Sequence, residues 1–188
     1  TGGKSTRMKQ DKAALVYHGK EQSAAAFELL SGFCEKVFLS NRADQAEAAG
    51  QKGFPQIHDR EEFLGKGPLA GILSAMQEHP DVAWLVLACD LPYVDQATLQ
   101  QLIDKRDRQK IATAYRSSHD GLPEPLCAIY EPHAQTVLSK FFQAGTLCPR
   151  KILINSDSHL LDPLNPTALE NVNSPEEYEK AKDILRKN

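Results

Sequence analysis

The chain has 188 residues, 41% hydrophobic and 25% charged, enough apolar material for one compact domain over 1–188 without disulfide or metal staples. A formal charge of −3 argues against a protein that wraps nucleic acid or lies on anionic membrane through its overall field, so any anion site is local. No apolar run approaches the ~20 residues that span a bilayer and no signal-peptide pattern is present, so no membrane association is expected.

The chain opens "TGGKSTRMKQDK", a glycine pair beside several basic side chains. Two phosphate-binding devices fit: the end of a P-loop, or a glycine loop whose amides approach phosphate oxygens because no side chain blocks them. A P-loop helix soon turns an apolar face to its sheet, whereas Lys4 is followed by "STRMKQDK" with Met8 its only clearly apolar member. The glycine-loop reading is favoured, with Arg7 and Lys12 as the cations that would neutralise phosphate.

Ala25 to Leu30 reads as helix, "KVFLS" (36–40) as strand, and Leu69, Ile72, Leu73 and Met76 as one face of a helix entered through "GPLAG". There Pro68 suits the first helical position and Gly71 permits a close approach. "AWLVLAC" (83–89) predicts a central strand buried on both sides, which puts Asp90 at its carboxyl end, where open α/β sheets place ligands. A helix carrying Leu99, Leu102 and Ile103 follows a cap at Asp95, and "KIATAY" (110–115) and "PLCAIYE" (125–131) predict two more strands. Alternating strands and helices imply a mostly parallel sheet with helices on both faces. After residue 116 the rhythm changes, so antiparallel or irregular structure is expected in the last third. "NSPEEYEKAKDIL" predicts a terminal helix with Ser174 as N-cap, Pro175 at N1 and Glu177 closing a capping box. The cysteines, Cys34, Cys89, Cys127 and Cys148, form no C-x-x-C pair, and three sit in apolar runs, which suggests a reducing, cytoplasmic setting.

Five stretches in order, "TGGKSTRMKQDKAAL", "HDREEFLGKGPLAGI", "LACDLPYV", "EPLCAIYEP" and "NVNSPEEYE", make the chain similar to the molybdenum cofactor guanylyltransferase family. Lys9 stands where that family's opening signature has glycine, which disfavours a positive φ there. The resemblance implies a Rossmann-like nucleotidyltransferase three-layer sandwich, with a strand leading into Gly2 from ahead of Thr1. It also implies transfer of GMP from GTP to the terminal phosphate of molybdopterin or Mo-molybdopterin, assisted by Mg2+, with molybdenum cofactor delivery proteins as partners. Gly2 and Gly3 would bind the triphosphate through their amides, and Arg7 and Lys12 would neutralise it. Asp90 would hold Mg2+, and Gly71 would wall the nucleotide pocket. Asp59 would read guanine, although local sequence does not separate it from Glu61 or Glu62, and Asn41 would lie near the nucleoside. Asn171 and Asn173 would face the acceptor phosphate and metal region, and Arg150 and Lys151 could attract the acceptor by charge. Related chemistry with CTP or another phosphate acceptor, and a catalytically inactive nucleotide-binding protein, are the alternatives.

Overall fold

The computed structural model describes residues 15–17, 20–47 and 52–186. Its elements in chain order are β1 (Val16–Tyr17), β2 (Lys20–Glu21), α1 (Gln22–Ser31), β3 (Leu39–Asn41), β4 (Gln56–His58), α2 (Pro68–Glu78), β5 (Trp84–Leu87) and α3 (Gln96–Asp104). There follow β6 (Ala112–Arg116), β7 (Pro123–Tyr130), α4 (Ala134–Gln143), α5 (Pro149–Ile154), β8 (Ser158–Leu161) and α6 (Pro175–Leu185).

The main sheet has the order β5-β7-β6-β8. β7 runs antiparallel to β5 and β6, and β8 runs parallel to β6. Three of the four strands therefore share a direction and β7 opposes them, so the sheet is partly parallel, with the antiparallel strand falling after residue 116 as the change of rhythm suggests. β1 and β2 form a short antiparallel pair, and β3 pairs with β4 in parallel.

Period-two alternation sends successive strand residues to opposite helical layers. Trp84 and Val86 of β5, Ala112 and Ala114 of β6 and Ala128 and Tyr130 of β7 pack with Leu69, Leu73 and Met76 of α2, Leu138 of α4 and Ile152 and Leu153 of α5. On the other face Leu85 and Leu87, Tyr115, and Cys127 and Ile129 meet Leu29 and Leu30 of α1 and Leu99 and Leu102 of α3. Helices thus cover both faces, giving the expected three-layer α/β fold.

"AWLVLAC" differs from its sequence reading. Trp84–Leu87 is half-buried and lies at one end of the described sheet, hydrogen-bonded there to β7 alone. Successive apolar residues report that both faces of a strand are covered; they carry no information about whether both edges are paired. The capping predictions hold. Asp95 Oδ1 accepts from the Thr98 amide and hydroxyl at 2.8 and 2.7 Å, and Ser174 and Glu177 form the reciprocal capping box of α6. A third, smaller cluster joins Leu15, Val172 and Ala181 with Tyr93, Tyr178 and Leu185. Among the described residues no helix is long and apolar enough to cross a membrane. No disulfide joins the four cysteines; Cys127 is buried and Cys148 exposed.

Candidate active site

β3 and β4 are three residues each and pair in register, Asn41 opposite His58. Their short backbones are reinforced by side chains. Asn41, 1% exposed, donates from Nδ2 to Gln56 Oε1 at 2.9 Å, and its Oδ1 lies 2.7 Å from His58 Nδ1. Gln56 in turn donates to the Ala46 carbonyl at 3.0 Å. The Asp59 amide donates to the Asn41 carbonyl at 2.8 Å, so the chain leaves β4 with Asp59 fixed at its carboxyl end. The next amide, Arg60, donates to Ser74 Oγ of α2 at 2.9 Å.

Asp59 is half-buried, while Glu61 and Glu62 are exposed on a 3-10 turn. The structure thereby separates the three acids that sequence leaves together. Burial pushes the Asp59 carboxyl above the ordinary aspartate range, and the nearby charges of Arg42 and His58 oppose the shift.

α2 begins at Pro68 behind Gly67, whose φ of 69° is a left-handed value that favours glycine. Gly71, one turn in, is a matter of space. A Cβ there would lie 2.3 Å from Ser40 Oγ and 3.6 Å from Asp59 Oδ1. Its missing side chain lets α2 press against β3 and the Asp59 carboxylate.

Asp90 follows β5. The register carries on past the strand, with the Ala88 amide donating to the Leu126 carbonyl at 2.8 Å. The Asp90 carbonyl accepts from the Val172 amide at 2.9 Å. That bond draws the segment before α6 across the sheet tip and brings Asn173 beside Asp90.

One cavity of about 1380 Å³ gathers Asn41, Asp59, Gly71, Asp90 and Asn173 in its lining. Ligand pockets usually hold about 300–1,000 Å³, so this one is large. Apolar residues of α1, β3 and β5, among them Phe27, Leu39 and Trp84, form the rest of its wall. Asn171 does not join them: it lines a separate cavity of about 320 Å³ with Tyr93, His119 and Lys180. Val172 divides the two asparagines between the two spaces. Gly2, Gly3, Arg7 and Lys12 lie outside the described residues.

Sequence reasoning missed Arg42 and Arg106, which also line the large cavity. Arg42 adjoins Asn41 at a strand end, a signal that was available. Arg106 is set by its bidentate pairing with the buried Glu131, at 2.5 and 2.7 Å, a partner 25 residues away. Arg150 lines neither cavity; it binds Glu124 and Asp120, and Lys151 is exposed.

For a metal, the donor set is sparse. Among the described residues no group of three or more His, Cys, Asp or Glu side chains could hold an ion. A carboxylate at Asp90 and an amide oxygen at Asn173 fit Mg2+, which takes few protein ligands and completes its shell with water and phosphate oxygens.

Residues 1–159 match the model of the MobA-like NTP transferase domain. The chain belongs to this family. As a MobA-like domain it is a nucleotidyltransferase. It is 40% identical over 178 residues to a molybdenum cofactor biosynthesis bifunctional protein of Synechocystis, covering 95% of this chain and 51% of that protein, about half the relative's length. A probable molybdenum cofactor guanylyltransferase of Bacillus subtilis is 32% identical over 138 residues, 73% of this chain and 67% of that protein. Another, from Geobacillus, is 28% identical over 184 residues, 95% and 93% of the two chains. Among solved structures, molybdopterin-guanine dinucleotide biosynthesis protein A of Archaeoglobus fulgidus superposes with a TM-score of 0.78 at 23% identity, over 100% of this chain and 96% of that one. A cytidylyltransferase of Thermus thermophilus, at 11% identity, reaches 0.71 over 93% of both chains, so the MobA-like fold by itself leaves the base open.

Proposed function

We propose that the chain transfers GMP from GTP to the terminal phosphate of molybdopterin, or of Mo-molybdopterin, and releases pyrophosphate. The observation that carries this reading is that Asp59 and Asp90, each following the carboxyl end of a strand, line one cavity together with Asn173. A carboxylate at Asp59 can accept from both the ring N–H and the exocyclic amine of guanine, a paired donor edge that cytosine lacks. Its backbone anchor at Asn41 and the close approach of Gly71 hold that acceptor in one place.

Gly2 and Gly3 would bind the triphosphate through their amides, and Arg7 and Lys12 would neutralise it and the departing pyrophosphate. Asp90 and Asn173 would hold Mg2+, which when bound offsets the charge of two phosphates brought together. An oxygen of the acceptor phosphate attacks the α-phosphorus; a P–O bond forms there, and the bond to the bridging oxygen breaks with its electron pair leaving on pyrophosphate. The acceptor is already ionised, so the residues need hold no general base; their work is positioning and charge compensation. Delivery proteins that hand over the acceptor, and a cytoplasmic setting, belong to the same reading.

The test is pyrophosphate release with GTP, CTP and ATP in parallel, each with and without molybdopterin. The expected result is release that requires GTP and molybdopterin together. Preference for CTP would end the guanine assignment, and GTP binding without release in the presence of acceptor would make this a nucleotide-binding protein instead.

A further inference from the structure

Following the β5–β7 register outward leads to a residue with no part in the reaction so far. Leu87 pairs with Cys127 and Ala88 bonds to Leu126; two residues further along each strand stand Asp90 and Glu124. The two carboxylates therefore share one tip of the sheet. Glu124 is 6% exposed. Its Oε1 accepts from the Leu126 amide at 3.1 Å and its Oε2 from Arg150 Nη2 at 3.0 Å. Arg150, on α5, reaches Asp120 with its other arm at 3.1 Å, but that carboxylate is 42% exposed and its pairing is correspondingly weak. Burial pushes the Glu124 carboxyl up; the Leu126 amide and Arg150 oppose the shift, and the Asp90 charge adds to it.

A buried acid beside a second acid is unfavourable unless a cation offsets it. Here the offset works in both directions. Arg150 makes the buried Glu124 tolerable, and Glu124 cancels a guanidinium that would otherwise repel any cation held at Asp90. We propose that Glu124 is a positioning residue for the Asp90 cation site: it keeps Arg150 neutralised at the sheet tip, so that the guanidinium does not oppose a divalent ion held at Asp90. This inference rests on the reading of Asp90 as a metal ligand.

The sign of the test follows. Removing the Glu124 charge leaves the Glu124–Arg150 pair one unit more positive beside Asp90, which lowers divalent affinity. Mn2+ is titrated, with detection by electron paramagnetic resonance, into the chain carrying a non-hydrolysable GTP analogue. The proteins are wild type, Glu124→Gln, Arg150→Met, the double variant and Asp90→Asn. Glu124→Gln is expected to weaken Mn2+ about fivefold, with analogue affinity in a chelator unchanged. Arg150→Met is expected to tighten Mn2+, and the double variant to return within about twofold of wild type, a non-additivity that general loosening of the fold would not give. Unchanged Mn2+ affinity in Glu124→Gln, weaker or unchanged affinity in Arg150→Met, or a double variant as weak as Glu124→Gln would each overturn the proposal. The Arg150 arm decides the matter if Glu124→Gln does not fold. Mn2+ that fails to bind wild type, or binds Asp90→Asn as well, overturns the metal reading of Asp90 together with it. Mn2+ binding lost in Asp90→Asn but unmoved in Glu124→Gln overturns the role of Glu124 alone.

Discussion

Replacing Gly71 with alanine tests the packing that sets the spacing of β3, α2 and Asp59. The new Cβ would sit 2.3 Å from Ser40 Oγ, and real Cβ contacts essentially never fall below 3.0 Å, so the two must separate by about 0.7 Å. Little can give. The α2 residues around the site, Leu69, Ala70, Ile72 and Leu73, are at most 5% exposed, and β3 is held in register by β4. Overpacking of this kind costs about 1–3 kcal/mol, while exchanging a mid-helix glycine for alanine returns about 1 kcal/mol. The expected net loss is about 0–2 kcal/mol, too ambiguous alone. Ser40→Ala makes it decisive. With Oγ gone, the next contact is Ser40 Cβ at 3.4 Å, an ordinary distance, so in that background Gly71→Ala should stabilise by up to about 1 kcal/mol. Urea melts of the four proteins give a coupling of about 1–3 kcal/mol. A coupling below about 0.5 kcal/mol, or the same sign for Gly71→Ala in both backgrounds, would refute the packing argument.

Asp59→Asn should weaken GTP binding while leaving stability unchanged or raised. The folded-state pKa of Asp59 is raised, so its ionisation opposes folding at neutral pH and is relieved as pH falls through the raised value. In wild type, GTP affinity should decline on acidification at a pH above that of an ordinary aspartate, and calorimetry of Asp59→Asn should show this acid limb gone. Asp90→Asn should cut pyrophosphate release by at least about a hundredfold with an unchanged circular dichroism spectrum. Glu131→Ala should cost about 3–5 kcal/mol in urea, because it leaves Arg106, part-buried at the cavity wall, without its bidentate partner. Ser174→Ala should cost about 1 kcal/mol through loss of the bond to the Glu177 amide, read as a lower melting temperature.

What was legible in the sequence follows the range of the interactions involved. The caps at Asp95 and Ser174 are local and could be read directly. β6 and β7 lie close to "KIATAY" and "PLCAIYE". The strand expected at "KVFLS" is shifted toward the carboxyl end: it is Leu39–Asn41, and Val37 and Phe38 lie ahead of it among the residues that line the cavity. β4, "QIH", and β8, "SHLL", are too short to show alternation. α4 is absent from the sequence reading although Val137, Leu138, Phe141 and Phe142 recur at the 3.6-residue helical spacing and pack on the core. At the site, Asp90 was readable because it ends an apolar run, whereas Asp59 came only from resemblance. Glu124 and Arg150 are 26 residues apart, and nothing near either names the other.

The small cluster of Leu15, Val172 and Ala181 has a consequence for chimaeras. Tyr178 Oη donates to the Val16 carbonyl at 2.9 Å across 162 residues, and the chain just ahead of that helix is tethered to Asp90. One amphipathic helix thus clasps the stretch that emerges from the basic opening to the strip bearing Asn173. A domain that borrowed its last helix from a relative would import that relative's spacing between the two, so the helix and both strips it fastens have to be exchanged as a set.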